Sequence, residues 1–309
     1  MKSGTTGGRD AVSLLLIVPA GLLGVGLAWV LTVGDLPAQA VIRVIADCVG
    51  ATVLGLAALP RLHPRLQPPW RLLAVLAGIW CGTEFAILLF EAADVVGVPL
   101  RRLGAEQFGT FLTEVSAGQV GIAILLGTGA TAGYSALIYR RSEAASTDLV
   151  LVFAAVALIL RPITGHMSQQ SFGSVLAAVH ALAAAAWFGL LVALASVVRS
   201  RGQWATVLPR YSAVALPLIA AVALTGIVNG LVRLDGLGPL LSTGYGRILL
   251  AKTVVLLALL ALGWWWRRSW VGRAADHRMT ADASLRRAVI EVAVMAVAFG
   301  LASALAVTA

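Results

Sequence analysis

Residues 11 to 33 pass without one charged side chain, and long apolar runs of this kind recur almost to the end of the chain. A helix needs roughly 20 apolar residues to cross about 30 Å of hydrocarbon. Further runs lie at 40–60, 71–94, 108–139, 148–166, 173–198, 209–233, 246–266 and 288–308. Lipid offers the backbone no hydrogen bonds, so a chain built of such runs must close its own bonds within helices. An all-α, polytopic transmembrane bundle of about nine spans is expected. Composition agrees. The chain is 60% hydrophobic and 12% charged, about half the charge of a soluble domain, with a mean hydropathy of +0.92. Its polar side chains are too few to cover a water-facing surface.

Two runs are unusual. The one at 108–139 is long enough to tilt or to begin with an interfacial turn. The fifth is short: Leu149 to Leu160 gives only about 18 Å of helix. It must be completed by Arg161-Pro162-Ile163-Thr164-Gly165-His166, and a short, Pro/Gly-interrupted span points to a binding site. A helix that simply frays at Pro162 is the bland alternative. Lys2 and Arg9 ahead of the first run resemble a secretory signal. The run is long for a signal core and lacks a cleavage site, so it is read as a retained span.

The net charge of +9 would suggest nucleic acid in a soluble protein. Here the cations sit in short loops, where they set orientation, and nucleic acid is not expected as a partner. Lys2, Arg9, Arg61, Arg65, Arg71, Arg140, Arg141, Arg199, Arg201, Arg210 and the arginines from Arg267 to Arg287 fall on one side. Arg43, Arg101, Arg102, Arg161, Arg233 and Arg247 fall on the other. The positive-inside rule then gives an inner N-terminus and an outer C-terminus. The longest loop, 267–287, reads as a surface connection with Trp264-Trp265-Trp266 as a belt at its membrane end.

Ionisable groups within spans are costly and mark function by default. On this topology Asp47, Glu84, Glu91, Asp94 and Glu114 lie toward the outer side, with His166 and Met167 at the end of the fifth span. His180 lies about 12 Å into the sixth, Asn229 late in the seventh and Lys252 early in the eighth. Glu291 alone belongs to the inner side. Glu84 and Glu91 are two turns apart and share a helix face, as do His180 and Trp187, and Thr225 and Asn229. Gly118, Gly121, Gly127, Gly129 and Gly133 would let neighbouring helices approach closely.

His166, Met167 and His180 are the candidate metal ligands. Imidazole suits copper in either oxidation state, and a thioether selects Cu(I). Against this, His180 can be a neutral interhelical hydrogen-bonding group, Met167 a packing residue and His166 an interfacial one. Glu84, Glu91, Asp94, Glu114 and Asp47 form a candidate acidic mouth that attracts cations. The alternative is structural ion pairing with Arg43, Lys252 or one another. Cys48 and Cys81 read as small buried hydrophobes, and His63 and His277 as solvated loop residues.

From about residue 147 onward the order of features resembles the copper resistance protein D family. It is carried by Thr164-Gly165-His166-Met167, Val179-His180 with Ala186-Trp187-Phe188-Gly189-Leu190, and Pro209-Arg210-Tyr211-Ser212. Leu224-Thr225-Gly226, Thr243-Gly244-Tyr245-Gly246-Arg247 with Leu250-Ala251-Lys252, and Leu285-Arg286-Arg287 with Glu291 follow. Phe188 stands where the family has the first of two glycines, and Tyr211 where it has phenylalanine. The resemblance divides one integrated membrane domain into a four-span region, 1–146, like that of actinobacterial members, and a five-span region, 147–309. It implies copper handling at the cytoplasmic membrane, with copper ion bound by His166 and His180, Met167 as a local addition, and Trp187, Asn229 and Lys252 in support.

The leading expectation is copper uptake across the cytoplasmic membrane by a non-enzymatic permease. No G-x-x-x-x-G-K-[ST] motif is present to hydrolyse ATP. A copper-delivery or assembly factor for a respiratory oxidase is the first alternative. A haem-binding electron carrier is the second, and a purely structural subunit the third. Expected partners are the bilayer and an extracytoplasmic copper chaperone or oxidase assembly factor.

Overall fold

The computed structural model describes residues 16–33, 38–142, 145–164, 172–233 and 239–307. Among them every regular element is helical. The helices are α1 (Ile17–Leu31), α2 (Gln39–Leu62), α3 (Trp70–Val96), α4 (Ala105–Glu114) and α5 (Ser116–Arg141). After these come α6 (Asp148–Thr164), α7 (Gly173–Val197), α8 (Arg201–Arg233), α9 (Gly244–Trp266) and α10 (Ala281–Val307). Seven of the described helices are long and apolar enough to cross a membrane: α2, α3, α5, α7, α8, α9 with its continuation, and α10. α1 has 15 residues and α6 has 17.

α2 is the centre. It packs against α1, α3, α6, α7 and α10, and most of its side chains are buried. Its approach to α7 is set by two glycines. A Cβ on Gly55 would collide with the backbone carbonyl of Gly189, and one on Gly189 would collide with that of Ala51. The backbones therefore touch, as small residues allow where helices have no hydrophobic drive to associate. Gly24 of α1 and Gly300 of α10 meet in the same way. Phe188 is fully buried, its ring 4.8 Å from that of Phe299 on α10. It fills the space beside the α2–α7 contact. Hydroxyls along the helices close onto the preceding turn: Thr52 on Cys48, Thr128 on Ile124 and Ser196 on Val192. This satisfies them without a partner helix.

Three expectations are corrected. The run 108–139 is not one long span. It breaks at Val115, whose backbone is extended (φ −103°, ψ 129°). Glu106, Gln107, Thr110, Thr113 and Glu114 make α4 too polar for hydrocarbon, so it folds back along α5. Phe111 is its buried anchor, seated where a Cβ on Gly118 would strike the Phe111 carbonyl. Gln119 closes the break by donating to the Thr113 carbonyl at 2.8 Å. The seventh run starts earlier, because Trp204, Val207 and Leu208 are buried and draw α8 back to Arg201. The basic stretch after Trp266 is not simply a loop. The helix continues through a π turn, Arg267–Val271, and Gly272–Ala275. Trp270 holds it: the indole is buried, donates to Ser284 Oγ at 3.2 Å and lies 6.0 Å from the Trp204 ring. Trp264 and Trp265 stay exposed, as a membrane belt requires. The helix of α6 runs through Pro162 to Thr164.

Candidate functional site

Two polar groups occupy one end of the bundle, where α2, α7 and α9 begin and α3, α6, α8 and α10 finish. The first is a cluster of charges. Glu84 and Glu91, two turns apart on α3, both face Arg161 of α6. Glu84 Oε2 accepts from Arg161 Nη2 at 2.9 Å and Nε at 3.3 Å. Glu91 Oε1 pairs with Arg161 Nη1 and also accepts from Arg43 Nη2 of α2 at 3.0 Å. Trp80 donates to the other oxygen of Glu84 at 3.1 Å. One turn beyond Arg43, Asp47 accepts from Ser303 of α10 at 2.8 Å. Four helices are thus tied by one network, in which two guanidiniums face three carboxyl groups. Glu84 is only 6% exposed; a charge so buried is tolerated because it is paired and hydrogen-bonded.

The second group surrounds His180 of α7. Its Nδ1 lies 2.9 Å from Thr225 Oγ1 of α8. The threonine hydroxyl has one proton, and that proton is given to the Ala221 carbonyl one turn back, at 2.5 Å. With the hydroxyl proton on the Ala221 carbonyl, the histidine is the donor between the two side chains. That fixes the neutral ring with hydrogen on Nδ1 and a lone pair on Nε2, the form a metal takes up. Lys252 of α9 lies within electrostatic reach of the ring. Among the described residues it has no acceptor. Asn229, one turn after Thr225, has its Oδ1 buried and, among the described residues, unpartnered.

The other candidates disperse. Asp94 and Glu114 are exposed and join neither group. Cys48 is buried beside Asp47; Cys81 Sγ lies 3.9 Å from the Leu125 carbonyl. His166 and Met167 lie outside the described residues. Among the described residues no contact joins His180 to a carboxylate. Among the described residues no three His, Cys, Asp or Glu side chains gather as a metal site. Arg161 and Ser303 are the network residues that sequence reading misses: Arg161 counts there as an edge charge, and a serine in an apolar helix carries no signal.

Comparison with known proteins accounts for most of the chain. A model of the copper resistance protein D-like N-terminal domain matches residues 33–174. A model of copper resistance protein D matches residues 205–305. The chain belongs to the copper resistance protein D family. Like that family it is a multi-pass protein of the cell membrane, and its function is related to copper. His180 and Trp187 fall between the two matched stretches. The chain is also similar to the copper transport protein CutJ of Bacillus subtilis (strain 168), 27% identical over 123 residues. The match covers 37% of this chain and 23% of CutJ, so this family member aligns with under a quarter of that relative's length. No solved structure matches.

Proposed function

We propose that the protein carries copper across the cytoplasmic membrane, from the outer side inward, with His180 as a resident ligand of the passing ion. The observation that carries this reading is the Thr225–His180 hydrogen bond, which leaves Nε2 with a lone pair at the polar end of the bundle. His166 and Met167 follow directly on α6, whose last turn is tied to the start of α7 by Ser174 Oγ donating to the Ile163 carbonyl at 2.8 Å. With His180 they make up the proposed ligand set. An imidazole pair and a thioether suit Cu(I). Copper is the cargo here, and no reaction is performed on it.

The carboxylates play a different part from a simple mouth. Glu84 and Glu91 are held by Arg161 and Arg43, so they brace α2, α3 and α6 beside the path. Asp94 and Glu114, exposed at the same end, supply the negative charge that raises the local cation concentration. The test is radiocopper uptake by the full chain in proteoliposomes, paired with metal analysis of the purified protein. Uptake that disappears on His180→Ala supports the reading. Copper that binds but never enters the vesicle replaces it with a delivery role.

A further inference from the structure

Away from the charge cluster, three buried polar side chains converge from three helices. Glu291 of α10 is 7% exposed, and no hydrogen bond or ion pair reaches it among the described residues. Tyr211 of α8 and Trp187 of α7 are buried and face each other, the indole within hydrogen-bonding reach of the phenol, and among the described residues neither atom makes a well-formed hydrogen bond. Tyr211 stands within electrostatic reach of Glu291 and close to Trp187. The place is distinct from both polar groups described above. Glu291 lies about 18 Å along α10 from Ser303, and Trp187 about 10 Å along α7 from His180.

Among the described residues no fixed cation serves this carboxyl. Arg287, one turn back on α10, does not reach it. Arg210 of α8 is turned to the Leu62 carbonyl, 3.2 Å away. On α2, Arg61 pairs with Asp148 and Arg43 with Glu91; Asp47 is engaged by Ser303. The described part of α1 has no ionisable residue. α7 offers only His180, and Lys252 of α9 lies near that histidine. An ionised carboxylate alone in a low-dielectric interior is too costly to persist, so it takes a positive partner. The surrounding groups say which. The Trp187 indole N–H only donates, and it faces the Tyr211 phenol, which it orients beside the carboxyl. A phenol donates to the ionised carboxylate and accepts from the protonated acid.

We propose that Glu291, with Tyr211 and Trp187, is a proton-binding site in the bundle interior. The carboxylate takes one proton to become the acid and returns it unchanged, with no electron moved. Resting on the copper-transport reading, its charge change offsets that of the cation passing through the bundle.

Infrared difference spectra of the full protein in lipid, recorded across a pH titration, test the site directly. The C=O stretch of a protonated carboxyl should appear as pH falls and be lost in Glu291→Gln. It should shift in frequency in Tyr211→Phe and persist in Glu291→Asp. Identical titration spectra for wild type and Glu291→Gln would overturn the proposal. Should Glu291→Gln fail to fold, Tyr211→Phe decides, since an unshifted band means no contact between the two groups. Coupling is read separately, as radiocopper uptake into vesicles with an imposed pH gradient. Wild type should respond several-fold and Glu291→Gln not at all. A wild type that moves no copper removes the transport reading and the coupling, while the infrared result stands alone for the proton site.

Discussion

Arg161 presents two nitrogens, Nε and Nη2, to a single oxygen of Glu84, at 3.3 and 2.9 Å. The remaining nitrogen is given to Glu91, so one guanidinium bridges two carboxylates two turns apart on α3. The fork geometry of arginine makes this possible, and a lysine ammonium could not reproduce it. Because Glu91 also holds Arg43, the end of α6 is fastened through α3 to α2.

Replacing Arg161 with alanine therefore strands the buried Glu84, while Glu91 keeps Arg43. Breaking a buried pair from one side costs about 3–5 kcal/mol, and a large drop in the thermal midpoint in detergent is expected. Arg161→Lys should recover only part of it. Adding Glu84→Gln to Arg161→Ala should restore stability, since the stranded charge is gone. Arg61 and Asp148 form the contrast: their side chains are 50% and 65% exposed, so Arg61→Ala should leave the midpoint nearly unchanged.

Thr225 orients His180 by accepting from its Nδ1. Thr225→Val keeps the shape and removes the acceptor, so either ring nitrogen can then carry the proton. Copper affinity, read by competition with a chelator, should fall by about 10–100-fold, as for other partners of metal-binding histidines. Thr225→Ser should bind as wild type does, and His180→Ala should lose binding while inserting normally. Equal affinity in Thr225→Val and wild type would detach the hydrogen bond from metal binding.

Why some of this could be read from the sequence and some could not follows from range. Helix content and the apolar runs are local properties, written in stretches of about 20 residues, and they appear where expected. That the run at 108–139 could open with a separate turn was legible, but the place of the break at Val115 was not, because residues 108–114 look apolar enough in a long window; only their exposed threonines and Glu114, set against α5, turn them aside. Thr225 and Asn229 were legible as a shared face by spacing alone. The choice of His180 as the partner of Thr225 was not, because it depends on how α7 and α8 are rotated about their axes. Arg161 shows the same limit. Its charge is visible in the sequence, but not that it turns inward to meet carboxylates from another helix.

The α2–α7 contact depends on two missing Cβ atoms. Gly189→Ala places a methyl group against the Ala51 carbonyl, and Gly55→Ala places one against Gly189. Neither neighbour is a flexible side-chain end, so the helices must part. Both variants should lower folded yield sharply. Gly133→Ala, where nothing lies within 4 Å, should be neutral or slightly stabilising, since alanine favours helix by about 1 kcal/mol over glycine. A tolerated Gly189→Ala would mean the helices sit further apart than described.

Lys252 bears most directly on the copper reading. It lies within electrostatic reach of His180, without an acceptor among the described residues, and a charged ammonium there opposes any cation bound to Nε2. Like charges a few ångströms apart interact by up to about 4 kcal/mol at an effective dielectric near 20. Lys252→Met removes that repulsion while keeping the side chain's length, so copper affinity should rise by about tenfold or more. Lys252→Arg retains the charge and should bring no gain. If Lys252→Met instead weakens binding, the lysine is no opposing charge. It would then belong to the recognition of an anionic group, and His180 would serve something other than a bare metal ion.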